Sequence, residues 1–380
     1  MDVVDGRARA VGDDQAVTRG IVTSSEALGA PRLAVQSVKA WRAADVSDPR
    51  PWTFHLTANQ RNDIVTAAAR AFDGGMTVAT VQRGNFDLPT LRSVVESWIE
   101  ALGHGRGFVL IKGFPIDLLT PEQTELAYVG LGLQLGEPVG QDADGSLLGH
   151  VRDEGVTRSD PTVRLYKTNA RQDFHTDGSD IVGLLCLEQS RIGGESRIAS
   201  SLAVYNELLA TRPELLEALY EPMYWDRNGE ESPGEDPYFA LPVIHDANGI
   251  PRMFYIGWYI HDAQRHAEVP RLTAQQLEAL DAIESLANDP GFHVEMAFEP
   301  GDIQLLSNAW ILHAREAYED DAQFDRTRHL LRLWLMARDF AGVDDLLRGG
   351  IPGNRTSRLA AVAPGPDGLI RMETVWVGPR

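Results

Sequence analysis

The chain has 380 residues, 43% of them apolar, enough to fill a sizeable core in one large domain or two modest ones. Its 35 Lys and Arg against 55 Asp and Glu leave a formal charge of −20, which repels phosphate backbones and anionic lipid surfaces, so neither nucleic acid nor a membrane is an expected partner. The opening MDVVDGRARAVGDD lacks an apolar signal core, runs such as IVGLLCL (181–187) fall far short of a bilayer span, and one cysteine forms no intrachain disulfide, so a soluble cytoplasmic protein is expected.

Residues 1–30 mix small, charged and glycine residues without periodicity and read as a flexible N-terminal arm. Thr57 with Gln60, Thr120 with Pro121 and Gln123, and Thr273 with Gln276 mark helix starts, because a hydroxyl three residues before a glutamine satisfies free amide donors reciprocally. They predict helices near 57–72, 121–134 and 273–288. LPTLRSVVESWIEAL (88–102), bounded by Asp87 and Gly103, predicts another, and GFVLIKGFP after it a short buried strand. GLGLQLG (130–136) has GxGxxxG spacing at the end of a predicted helix and reads as a helix terminus, not a dinucleotide-binding turn.

From about 160, β-branched and aromatic runs recur between Gly, Pro, Asn and Asp clusters: TVRLYKT, IVGLLCL, ESRIAS, ALPVIH, MFYIGWYI, FHVEMAF, DIQLLS and HLLRLWLMA. Helices at 201–220 and 273–288 interrupt this series without alternating with it, so the fold class expected is mainly β with helical insertions (α+β), a jelly roll in preference to a parallel βαβ fold. One domain is expected over 31–345, its core at roughly 100–340, with 346–380 an extension packed on the barrel or partly mobile. A homodimer is the prior for such a chain.

Two residues in FHTDGSD (174–180) begin the chemistry. On a strand, positions i and i+2 face the same way, so His175 and Asp177 can offer an imidazole and a carboxylate to one ion. Downstream, FEPGDIQLLSNAWILHAREAYEDDAQFDRTRHLLRLWL (298–335) presents His313 on a strand-like segment, then Arg328 and Arg332 on one face of the next. A jelly roll brings distant strands together at its open end. Two His and one carboxylate on one face of an octahedral ion leave three positions free, an arrangement that suits Fe(II) and oxygen chemistry.

The order His175-Thr-Asp177, GGES (193–196), PGDIQLLSN, His313 and Arg328-His-Leu-Leu-Arg332 resembles the TauD/TfdA family of Fe(II)- and 2-oxoglutarate-dependent dioxygenases over roughly residues 100–340. The resemblance implies a double-stranded β-helix of the cupin-like jelly-roll type, with His175, Asp177 and His313 as catalytic iron ligands. It implies Arg328 on the distal carboxylate of 2-oxoglutarate, matching the fork of a guanidinium to two carboxylate oxygens, with Ser196 sharing that carboxylate. Arg332 is expected on the substrate or the cosubstrate, and Asn169 is expected to hydrogen-bond in the site. Cofactors implied are Fe(II), 2-oxoglutarate and O2; the reaction implied is oxidation of an unactivated C–H of a small metabolite, coupled to formation of succinate and CO2. Hydroxylation is the default, with desaturation and cyclisation open, and Asp177 occupies the position that halogenating relatives leave to chloride. An amino acid or another carboxylate is the expected substrate.

Other readings of the same residues stand beside this one. A cupin-like metal hydrolase or isomerase would keep the three ligands without the Arg328–Ser196 clamp, and a binding protein on the same barrel would need neither. Arg328 and Arg332 can instead pair with Asp320, Asp321 or Asp325, and Arg326 is close enough to exchange roles with Arg328. Arg315 and Glu316 read as a local ion pair, Cys186 as a core thiol, and His245, His261, His266 and His293 as structural or surface residues. FYIGWY (254–259) reads as a core strand, and the acidic GEESPGEDPY (229–238) as a mobile lid near the substrate.

Overall fold

Threonine caps open three of the helices as the sequence requires. In the computed structural model, Thr57, Thr120 and Thr273 each accept from the amide of the glutamine three residues on, whose side chain returns to the threonine amide. Residues 32–142, 144–157, 162–231, 236–247, 249–321 and 327–337 are described, together with the backbone of 357–361 and 372–376. The expected N-terminal arm, most of the C-terminal extension and Arg326 lie outside them.

In chain order, β1 (Thr53–His55), α1 (Ala58–Asp73), α2 (Arg92–Gly103), β2 (Phe108–Lys112), α3 (Pro121–Leu135), β3 (Gly136–Pro138) and β4 (Leu148–Val151) precede β5 (Gln172–His175). The middle of the chain supplies β6 (Ile181–Glu188), β7 (Ile192–Gly193), β8 (Ser196–Ser200), α4 (Ser201–Thr211), α5 (Pro213–Tyr220), β9 (Pro222–Asp226), β10 (Tyr238–Pro242), β11 (Ile244–Ala247), β12 (Ile250–Met253), α6 (Gly257–Ala263) and α7 (Ala274–Asn288). After these come β13 (His293–Met296), β14 (Ile303–Ser307), β15 (Ile311–Arg315), β16 (Tyr318–Glu319) and β17 (His329–Ala337), then a separate antiparallel pair, β18 (Ser357–Ala361) with β19 (Met372–Trp376).

Two sheets form the barrel. The larger has the order β1-β2-β14-β6-β17-β3 with β4 also on β17, and the smaller runs β13-β8-β15-β5. Only the β1–β2 pair of these is parallel. Strand alternation then sorts side chains into layers. In β17, Leu331, Leu333 and Leu335 face the helices α1–α3, while Leu330 and Trp334 join Val182, Ile198, Leu306 and Ile311 between the sheets. In β15, Leu312 and Ala314 pack under α4, α5 and α7, which leaves Ile311, His313 and Arg315 for the inner face. Burying each large apolar side chain contributes about 1.5–3 kcal/mol, so this double-sided packing supports a polar interior at the barrel mouth.

Four expectations are corrected. TVRLYKT is not a strand: residues 165–167 form a 3-10 turn, closed by Lys167 N donating to Arg164 O and Thr168 Oγ1 donating to Leu165 O. The run MFYIGWYI leaves its strand at Met253 and turns into α6 at Gly257. Helix 201–220 is two helices, broken where Pro213 cannot donate and restricts Arg212 before it. Arg315 and Glu316 do not pair: Glu316 meets Arg171 and Arg197, and Arg315 points into the barrel. GLGLQLG does end a helix, with Gly136 at its terminus.

Candidate metal and cosubstrate site

His175 and His313 meet because β5 and β15 are antiparallel neighbours in which these two residues are directly paired. The register then slips, so that Arg315 pairs with Gln172 and β5 holds one extra residue. This bulge lets both Gln172 and His175 face the same cavity. Asp177 lies just past the strand, on a loop fixed by buried hydrogen bonds. Thr176 N donates to Tyr255 O (2.8 Å), Asp177 N to Asn308 Oδ1 (3.0 Å), Asn308 Nδ2 to Ser179 O (2.8 Å) and Ala337 N to Asp180 Oδ2 (2.8 Å).

The three donor groups of His175, Asp177 and His313 lie within 4.8 Å of one another, and all three residues are buried. His175 Nε2 is 3.9 Å from Asp177 Oδ1, and His313 Nε2 is 3.6 Å from Asp177 Oδ2. Atoms bonded to one ion at about 2.1 Å and at right angles sit about 3 Å apart, so small closures complete the set. His175 Nδ1 donates to Asp173 O (2.8 Å), which fixes Nε2 as the lone-pair nitrogen, and Gln172 Nε2 approaches it at 3.1 Å. Burial, reinforced by His313, pushes the His175 pKa down to about 3. Burial alone would raise that of Asp177, but Arg332, whose Nη1 is 3.8 Å from Oδ1, and His313 hold it well below the usual carboxylate range. Trp334 Nε1 donates to Asp177 Oδ2 (3.0 Å). At neutral pH His175 is therefore a neutral imidazole and Asp177 an ionised carboxylate, the forms a divalent ion requires of them. Two nitrogens and one carboxylate oxygen on a single side fit Fe(II) with open positions.

Beside the ligands lies a cavity lined by Gln172, Ser196, Arg315, Arg328, Leu330 and Arg332 among others. Arg315 and Arg328 are 6% and 4% exposed, and both guanidinium groups lie near the Tyr318 ring, at 5.0 and 5.1 Å. Arg328 Nη2 donates to Gly194 O (3.2 Å), and Arg315 Nη2 donates to Ala170 O. Among the described residues, Arg315 Nε and Nη1 and Arg328 Nη1 have no hydrogen-bond partner. Burial lowers the pKa of both; that of Arg315 falls to about 10, with the Arg328 charge adding to the effect. Two buried cations with unmet donors fit the distal carboxylate of 2-oxoglutarate. The Gly193–Gly194 turn shapes this end: Gly194 has φ +78°, and a Cβ there would come within 2.8 Å of Arg328 Nε.

The remaining expected residues divide. Ser196 lines the cavity, but its hydroxyl donates to Gln304 Oε1 (3.0 Å). Arg332 lies beside the ligands, its Nε donating to Gln141 Oε1 (2.7 Å) and its guanidinium between Tyr166 and Trp334. Asn169 is corrected: its side chain is exposed and lines neither cavity at the ligands, and only its carbonyl is used, accepting from Tyr318 N. Sequence reasoning missed Arg315, although it stands two residues after His313 on one strand and so shares its face. It also missed Trp258 and Tyr259, which border the ligands from α6.

Together the barrel, the His-Asp-His set and the cationic cavity define a non-haem Fe(II)- and 2-oxoglutarate-dependent oxygenase. The profile of the taurine catabolism dioxygenase TauD, TfdA family matches residues 72–334, and the chain belongs to that family. The chain is 36% identical over 299 residues to FR-33289 synthase of Streptomyces rubellomurinus, covering 78% of this chain and 88% of the relative. To the taurine hydroxylase-like protein SAT17 of Stachybotrys chartarum it is 31% identical, covering 73% of each. A uridine-5'-phosphate dioxygenase of Amycolatopsis is 29% identical over 56% of this chain and 79% of its own. Among solved structures, an asparagine oxygenase with Fe(II), hydroxyasparagine and succinate has TM-score 0.59 at 16% identity, covering 75% of this chain and 93% of its own. The oxygenase OrfP with Fe and alpha-ketoglutaric acid has TM-score 0.57 at 16% identity, covering 75% and 94%. Among the described residues no helix is long and apolar enough to cross a membrane.

Proposed function

We propose that this oxygenase hydroxylates an unactivated C–H of a small metabolite carrying a carboxylate or another anionic group, such as an amino acid. Fe(II), 2-oxoglutarate and O2 together supply the oxidant, with succinate and CO2 as coproducts. The observation that carries the residue roles is the meeting of the His175-Asp177-His313 donors with the Arg315–Arg328 cavity. His175, Asp177 and His313 hold the metal. Arg328 and Arg315 hold the distal carboxylate of the cosubstrate, a demand that a metal hydrolase on the same barrel lacks. Ser196 lines the wall beside them with its hydroxyl held by Gln304, and Arg332 keeps Asp177 ionised.

A second cavity on the same ligands, walled by Tyr166, Trp258, Tyr259 and Trp334, receives the substrate and excludes water from the reacting carbon. Relatives span an enzyme named for a nucleotide phosphate and structures bearing hydroxylated amino acids, which supports a small polar substrate without choosing one. The test is succinate formation from 2-oxoglutarate under air with Fe(II) and without added substrate. Slow turnover that disappears in His175→Ala and Asp177→Ala is expected; turnover unchanged in both would overturn the ligand assignment.

A further inference from the structure

The substrate-side cavity has a cation that the chemistry above does not use. Arg164, at the start of the 165–167 turn, lines it together with Tyr166, Tyr259 and the ligands His175 and Asp177. Its side chain is 11% exposed and paired with Glu230, which is 13% exposed. Arg164 Nε donates to Glu230 Oε1 (2.9 Å), and Nη2 donates to the same oxygen. Glu230 reaches it from the turn after β9, where Gly229 (φ +73°) precedes it and Asn228 (φ +59°) donates from Nδ2 to Thr162 O (3.0 Å). The foot of that turn is tied down separately, with Asp226 accepting from Arg265 and His266.

Resting on the proposed oxygenase reading, we infer that Arg164 is the anchor for the anionic group of the substrate, and that Glu230 is an internal occupant exchanged for it on binding. The exchange suits the physics of a buried ion pair. Withdrawing a carboxylate from a buried guanidinium costs several kcal/mol, whereas replacing one carboxylate by another anion keeps the charge balanced throughout. Glu230 concentrates its acceptance on one oxygen, while a substrate carboxylate, phosphate or phosphonate offers two oxygens to the guanidinium fork. The carboxylate released lies on a surface turn next to a glycine, so it can rotate to water while Asp226 keeps β9 in place. A neutral substrate cannot make this exchange, and an amine has no anion to offer Arg164. The site thus selects for negative charge within a chain of net charge −20.

Calorimetry on protein loaded anaerobically with Fe(II) and 2-oxoglutarate tests this, because the filled Arg315–Arg328 cavity cannot take the probe. The probes are butyrate, propylphosphonate and uncharged butanamide. Glu230→Gln is expected to bind both anions at least tenfold more tightly than the unaltered protein, with butanamide unchanged. Arg164→Gln combined with Glu230→Gln replaces the pair by two amides and is expected to lose that gain while remaining folded. Anion affinities within twofold in all three proteins would overturn the inference, leaving the pair a fold stabiliser. Weaker anion binding in Glu230→Gln would overturn it too, and would make Glu230 a group that positions Arg164 and does not compete for it. Failure to load Fe(II) and 2-oxoglutarate would count against the oxygenase reading instead, and is seen before any probe is added.

Discussion

On one side of the metal ligands, Arg315 and Arg328 turn guanidinium nitrogens into a cavity where no described carboxylate meets them; on the other, Arg164 is held by Glu230. The two cavities share Tyr166, Gln172, His175 and Arg332, yet differ in how their charge is balanced. A cosubstrate common to every turnover can be awaited by cations with unmet donors, Arg315 at the end of β15 and Arg328 at the foot of β17. An incoming substrate is met by a cation whose partner stands on a turn and can leave. Positions at the ends of barrel strands serve the cosubstrate and a turn serves the substrate, a division that matches where precision is needed.

The largest effect should come from the point where the cavities join. His175→Ala, Asp177→Ala or His313→Ala is expected to lower turnover by at least about a thousandfold with little change in thermal stability, since these side chains line an opening and not the apolar core. Parallel assays of succinate and circular dichroism check this. Next, Arg328→Ala should raise the KM for 2-oxoglutarate about 10- to 100-fold, the loss of charge-assisted hydrogen bonds worth about 1.5–3 kcal/mol. Arg315→Met should raise it less, about tenfold, because Arg315 also holds the Ala170 carbonyl. If Arg315→Met left that KM unchanged while slowing only substrate turnover, Arg315 would belong to the other cavity. Gly194→Ala should produce a few-fold increase in the same constant by pushing on Arg328 and straining a positive φ.

The smallest effect lies behind β5. Glu284 on α7 hydrogen-bonds with Asn288 and faces Tyr255, Asp173 and Arg171; burial, reinforced by Asp173, raises its pKa to about 7. A carboxyl raised in the folded state gives stability that is full below its unfolded pKa and lost as pH rises through the folded value. Thermal stability should therefore fall between about pH 4.5 and 7 on this account, and Glu284→Gln should flatten that slope. An identical slope in the variant would remove Glu284 as its source.

What was legible in the sequence follows from chemistry that fixes residue type. His175 and Asp177 are ligand-type side chains two apart, and it is the ordered resemblance to the TauD/TfdA family that joins His313 to them and gives Arg328 its carboxylate. Arg315 was hidden by its neighbour Glu316, which suggested a surface pair, although the strand period that joined His175 to Asp177 also joins Arg315 to His313. Ironically the period held more firmly for Arg315, since Asp177 lies past the end of its strand. Trp258 and Tyr259 were misplaced because apolar alternation over six residues cannot separate a strand from the turn into a short helix. Arg164 lies in a segment read as a strand, and its partner Glu230 in the acidic loop read as a mobile lid near the substrate. Their pairing is 66 residues apart in sequence and visible only in the fold. The rest of the loop expected as a lid falls partly outside the described residues.

The division between the cavities is tested most directly by titrating 2-oxoglutarate into anaerobic protein loaded with Fe(II) and following the visible charge-transfer band of the chelate. The account predicts that the band forms in the unaltered protein, that Arg328→Ala shifts its midpoint to much higher 2-oxoglutarate, and that the Arg164→Gln/Glu230→Gln variant leaves the midpoint in place. A midpoint that moved with the Arg164 and Glu230 substitutions and not with Arg328→Ala would contradict it.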